Sequence, residues 1–292
     1  MKSYKYLLVI MITAILSGCQ KDPLSEINDG AWNKERNILN ISFAGQVGST
    51  TIKRIGDTAT IEFLSYSADF SAIAVNSLEV SYGANASVSV GEKLNFDNPD
   101  HSASIKITPV NGEPLVWTIK VDLYDNPYAG TWAIQTFRFK WDDWFGWGLS
   151  GEDNVVAKMS AVAKGLDDVI TFGGIEGVDP SGSLYGSYER AAGADGLLGS
   201  YISALGTDFS YKFGQLPGGK GKYFINPDNS ISVEMEGSSQ KITSKGSKST
   251  DGQTMDYQLN SPQDWSIDWD DYYGSENQLK MAYEIWYILT KN

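Results

Sequence analysis

A chain of 292 residues, 41% of them apolar and 20% charged, has room for one large domain or two ordinary ones and can bury a real core. Its formal charge of −13 excludes a nucleic-acid role resting on clustered Lys and Arg, and excludes electrostatic docking on an anionic membrane. One Cys and one His leave no basis for a disulfide framework, a Cys-rich metal cage or a multi-His zinc site. In chain order, Lys2 and Lys5 open a short basic region, and residues 6–16 (YLLVIMITAIL) form an apolar run. The run is too short to span a bilayer, which takes roughly 20 apolar residues, and has the length of a signal-peptide core. It ends in Leu16-Ser17-Gly18-Cys19, with the single Cys directly after two small residues.

That ending resembles the bacterial lipobox, which implies cleavage before Cys19 and a lipid on it. Residues 1–18 are then a lipoprotein signal peptide, and the protein is held on a membrane through the lipid alone. Residues 19–37 are polar and lack periodicity, so they read as a tether. Lys21, Asp22 and Glu26 loosely resemble the acidic export signal of surface-exposed lipoproteins in glycan-degrading Gram-negative bacteria. The location this implies is the outer membrane, facing the cell exterior.

Residues 38–125 alternate apolar and polar positions almost throughout. Ile61 and Phe63 share one face of a strand over 58–64, and Ala103, Ile105 and Ile107 share one over 102–108. After a hairpin signal at Asn111-Gly112, Trp117, Ile119, Val121 and Leu123 share a third. Seven or so short strands suit an Ig-like β-sandwich. Asp125-Asn126-Pro127 breaks the last strand and marks a boundary.

Residues 128–292 form a second, larger β domain. Strands are predicted over 131–141 and 281–289, both long and aromatic, a combination that suggests central pairing of first and last strands. Shorter strands are predicted at 155–163, 169–172, 183–189, 209–213, 222–225, 230–236 and 240–243. The expected fold class is all-β throughout, with a jelly-roll-like sandwich for this domain. The alternative is a lipocalin-like barrel, since Gly130-Thr131-Trp132 echoes the Gly-x-Trp start of lipocalins.

Two segments concentrate aromatic rings and carboxylates. Residues 141–147 (WDDWFGW) hold Trp141, Asp142, Asp143, Trp144 and Trp147, and residues 264–273 (DWSIDWDDYY) hold Trp265, Asp268, Trp269, Tyr272 and Tyr273. Each adjoins a long strand, which puts it in a loop at the domain rim. The C–H face of a pyranose packs on an indole or phenol ring, and its hydroxyls need acceptors that Asp supplies. The functional reading is therefore a carbohydrate platform; the structural alternative is that the rings fill the core. Calcium is a third reading for Asp264, Asp268, Asp270 and Asp271, although no EF-hand spacing occurs; no other cofactor is expected.

A non-catalytic role is expected. The enzyme alternative, a glycoside hydrolase, would use Glu234 and Glu236, which lie at i and i+2 on one strand face. The jelly-roll glycosidase signature Glu-x-Asp-x-x-Glu is absent there, no Gly-x-Ser-x-Gly elbow occurs, and Gly246-Ser-Lys-Ser249 lacks the order of a P-loop. Lipobox, tether, Ig-like spacer and Trp-rich β domain in that order resemble the SusE/SusF-like surface glycan-binding lipoproteins of polysaccharide-utilisation systems. The resemblance implies capture of an oligo- or polysaccharide. It also implies an outer-membrane TonB-dependent transporter and a SusD-like lipoprotein as partners. A rival of another class is a surface adhesion protein whose aromatic loops contact a protein.

Overall fold

The computed structural model describes residues 33–143 and 145–292. The signal peptide, Cys19, most of the tether and Trp144 lie outside them. The chain divides into two compact units, the first ending at Tyr124 and the second beginning at Asp125. Both are built of strands, as the alternating pattern requires. Among the described residues no helix is long and apolar enough to cross a membrane.

The first unit is a two-sheet sandwich. One sheet joins β1 (Ile38–Phe43), β4 (Ile73–Val80) and β6 (Lys93–Leu94). The other runs β2 (Gln46–Ile55), β3 (Thr58–Ser65), β8 (Leu115–Leu123), β7 (Ser102–Thr108) and β5 (Asn85–Ala86), with β3 and β8 parallel. Of the inward positions read from the sequence, Ile61, Phe63, Ile105, Ile107, Trp117, Ile119 and Val121 are buried between the sheets, and Ala103 packs against them partly buried. Leu123 is the exception: it is 53% exposed at the strand end. The Trp117 indole N–H donates to the Arg36 carbonyl at 3.0 Å, so the large ring is buried without an orphaned donor.

The second unit contains β9 (Gly130–Asp142), β10 (Ser150–Asn154), β11 (Val169–Val178), β12 (Leu184–Ala191) and β13 (Gly219–Ile225). It continues with β14 (Ile231–Met235), β15 (Lys241–Ser244), β16 (Gly246–Thr250), β17 (Thr254–Leu259) and β18 (Ala282–Lys291). The sheet order is β15-β14-β13-β12-β11-β9-β18-β17-β16, with β10 paired to β9. Sequence neighbours are thus sheet neighbours, and every pairing is antiparallel. The expected all-β class holds in both units, and in this one the strands follow one another up and down the sheet. The two edge strands, β15 and β16, are separated only by Lys245. One bent stretch of chain therefore supplies both edges and joins them. Gly246, at φ 83°, makes the bend, and a Cβ there would come within 2.8 Å of the Tyr128 hydroxyl.

Rings from distant strands meet inside. Phe172 on β11 lies 6.2 Å from Tyr257 on β17 and 5.2 Å from Tyr223 on β13, while Phe137 on β9 stacks on Tyr287 of β18 at 3.8 Å. Trp132 of the Gly-x-Trp motif is fully buried, donates to the Tyr128 carbonyl at 2.7 Å, and is covered by the Lys291 ammonium 5.5 Å from its ring. Gly130 takes φ 132°, and a Cβ there would meet Lys291, which explains the Gly of the motif.

Two predicted strands are helical. Residues 155–163 form a turn of helix (Val155–Lys158) followed by a 3-10 segment (Ser160–Gly165). The Asn154 side chain accepts from the Val156 amide and caps it. Val155, Met159 and Val162, spaced by four and three, are the buried face, a helical period inside what reads as alternation. Residues 209–213 form the turn Ser210–Phe213, with Asp208 accepting from the Ser210 amide at 2.8 Å. Strands β10, β16 and β17 are additional to the predicted set.

Arg190 projects into the interior, where its Nε and one terminal nitrogen reach the Asp168 carboxylate at 2.8 and 2.7 Å. Its other terminal nitrogen donates to the Tyr201 hydroxyl and the Leu216 carbonyl. Burial pushes the Asp168 carboxyl up in spite of Arg190, and the guanidinium ties the loop carrying Tyr201 and Leu216 to β12. Asp168→Ala leaves the guanidinium buried and unpaired, at a cost of about 3–5 kcal/mol. Calorimetry should show a Tm loss on the order of 10 °C for a unit of this size. The double variant Asp168→Leu/Arg190→Met should recover most of it.

Candidate functional site

The pairing of β18 with β9 runs from Ala282 opposite Trp141 to Lys291 opposite Trp132. The loop leaving β9 at 143–149 and the segment entering β18 at 260–281 therefore emerge at the same end of the sheet. There the two aromatic clusters meet. Phe145 lies 5.7 Å from Trp147 and 5.2 Å from Trp269, and Tyr272 lies 4.7 Å from Trp147 and 5.7 Å from Trp269. Tyr273 contacts Tyr272 edge-on at 4.9 Å. Phe145, Trp147, Trp269 and Tyr273 remain roughly half exposed around the buried Tyr272. The result is a continuous aromatic ledge, with Asp142, Asp268, Asp270 and Asp271 exposed in the same two segments.

Three residues expected on a platform are buried: Tyr272 at the centre of the ledge rings, and Trp141 and Asp143 apart from them. Trp141 is buried on β9, against Gly151 of the neighbouring β10, where a Cβ would come within 2.9 Å of its indole nitrogen. β9 ends at Asp142, so Trp141 stays on the buried face of the strand while Trp147 stands on the loop beyond it. Asp143 is also buried, and it builds the loop. Its two carboxylate oxygens accept from the Trp147 and Leu149 amides at 2.6 Å each, and its own amide donates to the Leu149 carbonyl at 2.8 Å. Burial works to raise this carboxyl, but amide hydrogen bonds from Leu149, Trp147, Gly146 and Phe145 hold it below the ordinary carboxylate range.

Buried Asn277 organises the second segment. Its amide group donates to the carbonyls of Asp268, Asp271 and Tyr272, and its oxygen accepts from the Asp268 amide. Neither this role nor the contribution of Phe145 follows from the aromatic spacing, because an Asn wired to backbone leaves no sequence pattern. Trp265 is 63% exposed, and Asp264 beside it accepts from the Tyr211 hydroxyl and from Ser266. Asp268 accepts from the Asp270 amide. The acids weighed as calcium ligands thus include two engaged in local turns. Among the described residues no group of three or more His, Cys, Asp or Glu side chains is arranged to hold a metal ion.

Glu234 lies on β14 opposite Lys222 and Lys241. With Glu236, Glu176, Ser187 and Lys222 it lines a shallow cleft of about 320 Å³. This cleft is formed by β11 to β14 and by residues just beyond them, away from the loops that carry the ledge.

No protein-family model matches the chain, and no curated protein matches it. Among solved structures it is similar to a "putative secreted protein" from Bacteroides fragilis NCTC 9343, at 16% identity over 32% of this chain and 98% of that one, with a TM-score of 0.23. It is also similar to a "putative glycoside hydrolase" from Bacteroides thetaiotaomicron VPI-5482, at 11% identity over 94% and 98% of the two chains, with a TM-score of 0.25.

Because the folded Asp143 carboxyl sits below its unfolded value of about 3.9, its contribution to stability is complete above that pH and is lost as pH falls through the folded value. Asp143→Asn keeps one acceptor of two. It should lower Tm at pH 7, and melting curves should show the gap between the two proteins closing as pH drops below about 4.

Proposed function

We propose that the second unit binds oligo- or polysaccharide without turning it over, and that the protein captures glycan at the cell surface. The observation that carries this reading is the meeting of Phe145, Trp147, Trp269 and Tyr272, from segments more than a hundred residues apart, in one half-exposed ledge. Large rings left in water at one place, on loops tied down by Asp143 and Asn277, are a costly arrangement that an occupant repays. Ring faces pack against sugar C–H groups. Rigid rings lose little entropy on binding, and the exposed Asp carboxylates nearby accept hydroxyl hydrogen bonds. A neutral amphipathic partner also suits an acidic surface.

In this reading a lipid on Cys19 holds the protein at the outer membrane, facing outward. A TonB-dependent transporter and a SusD-like lipoprotein receive the captured glycan. The sequence Leu16-Ser17-Gly18-Cys19 supports the anchor. Metabolic labelling with a palmitate analogue should mark the wild-type protein and leave Cys19→Ser unlabelled; equal labelling of both would dismiss the anchor.

The binding reading is tested by affinity electrophoresis in gels cast with plant, host and microbial glycans. At least one glycan should retard the protein. Trp147→Ala or Trp269→Ala should weaken retention at least about tenfold, the scale expected when a central ring of a contact is removed. Unaltered mobility across the panel would favour a protein-binding role. Release of reducing ends, abolished by Glu234→Gln or Glu236→Gln, would favour a hydrolase working in the Glu176–Glu234 cleft.

A further inference from the structure

Residues 260–262 also bound a hollow of about 410 Å³, whose lining includes Tyr211, Ile242, Thr243, Lys245, Asn260 and Pro262. Small-ligand pockets commonly run to about 300–1,000 Å³. Its wall is preformed. Gln215 donates to the carbonyls of Lys212 and Asn260 at 2.9 and 2.7 Å and accepts from the Asn260 amide at 2.8 Å. The Asn260 side chain donates to the Thr243 carbonyl at 2.7 Å.

Tyr211 is held in place from two sides. Its hydroxyl donates to the Asp264 carboxylate, which Ser266 also holds, and its ring runs nearly parallel to fully buried Phe209 at 6.5 Å. Burial first, and Asp264 second, push the phenol well above its ordinary value, so it stays neutral. Even so, Tyr211 keeps 51% of its surface exposed. Lys245 is exposed too, and it has no acid partner among the described residues. Left for a ligand are a fixed ring, an ammonium donor and the side-chain oxygen of Asn260. That is the same chemistry as the ledge, with a cation added.

We propose that this hollow is a second saccharide subsite and that the ligand is a chain of several sugars following segment 260–273 from the hollow to the ledge. The proposal rests on the glycan reading above. Pro262 lines the hollow and Trp269 belongs to the ledge. The stretch between them can reach at most about 25 Å when fully extended, and it carries exposed Trp265 on the way. A span of that size or less is within reach of a short oligosaccharide.

The test is calorimetric titration of the full-length protein with cello-, xylo-, manno- and malto-oligosaccharides from the disaccharide to the octasaccharide. In the series that binds, affinity should climb with chain length beyond the disaccharide. Tyr211→Ala should remove about tenfold for the longest members and leave the shortest unchanged. Trp269→Ala should weaken all lengths, and Tyr211→Phe, which keeps the ring, should lose less than Tyr211→Ala. Thermal melting of each variant separates lost binding from lost folding. Affinity already maximal at the disaccharide, or a Tyr211→Ala protein indistinguishable from wild type at every length while Trp269→Ala is impaired, overturns the second subsite and leaves the ledge standing. If every oligosaccharide and every gel-embedded polymer fails to bind, the glycan reading falls and takes the subsite with it.

Discussion

Antiparallel pairing between the first and last strands of the second unit is the constraint on which the candidate site depends. Register puts Trp141 of β9 opposite Ala282 of β18, so the loop leaving one strand and the segment entering the other share a single end of the sheet. Nothing local draws residue 145 toward residue 269. They meet because a sheet whose order follows the chain returns, on its last strand, to the side of its first. The same pairing draws Lys291 over Trp132 at the opposite end. The motif at the start of β9 and the aromatic ledge beyond its end are two results of one strand register.

The aromatic load has two uses, and their geometry differs. Inside, Tyr188, Tyr223, Tyr257, Tyr287, Phe137 and Phe172 fill the space enclosed by the curled sheet, and Arg190 with Asp168 fixes the loop that carries Tyr201 and Leu216. Several of the interior hydroxyls find partners: Tyr188 donates to the Pro217 carbonyl, Tyr223 to the Gly173 carbonyl, and Tyr257 pairs with Ser244. At the rim, by contrast, indoles stand half in water on loops whose backbone is held by one buried carboxylate and one buried amide. The interior is packed with side chains, and the exposed rings stand on the connections, in keeping with the division of labour between a rigid scaffold and its loops.

Much of this was legible. Period-two alternation identifies β3, β7 and β8 of the first unit and both long strands of the second, because each presents one face to a core. The aromatic character of residues 131–141 and 281–289 points to their pairing, which the register bears out. What the pattern could not give is equally specific. The segment Val155 to Val162 mixes alternate and helical spacing, and the cap at Asn154 decides for the helix. The dense cluster 141–147 splits between core and surface because a strand end lies inside it; composition shows the crowding but not where the strand stops. Asn277 satisfies four backbone groups through contacts that only the folded loop defines.

The inclinations among the rim rings have one more implication. Trp269 departs from the plane of Tyr272 by 17° and Trp147 departs from it by 56°, so the two exposed indoles are inclined to each other by at least about 39°, the difference of those angles. No flat face can lie against both. A crystalline fibre, whose surface is planar over many repeats, would meet one ring and bridge a gap at the other. A single solvated strand that rotates from one residue to the next can seat on each in turn. Under the proposed glycan reading, the ledge therefore suits a polymer already freed from its solid.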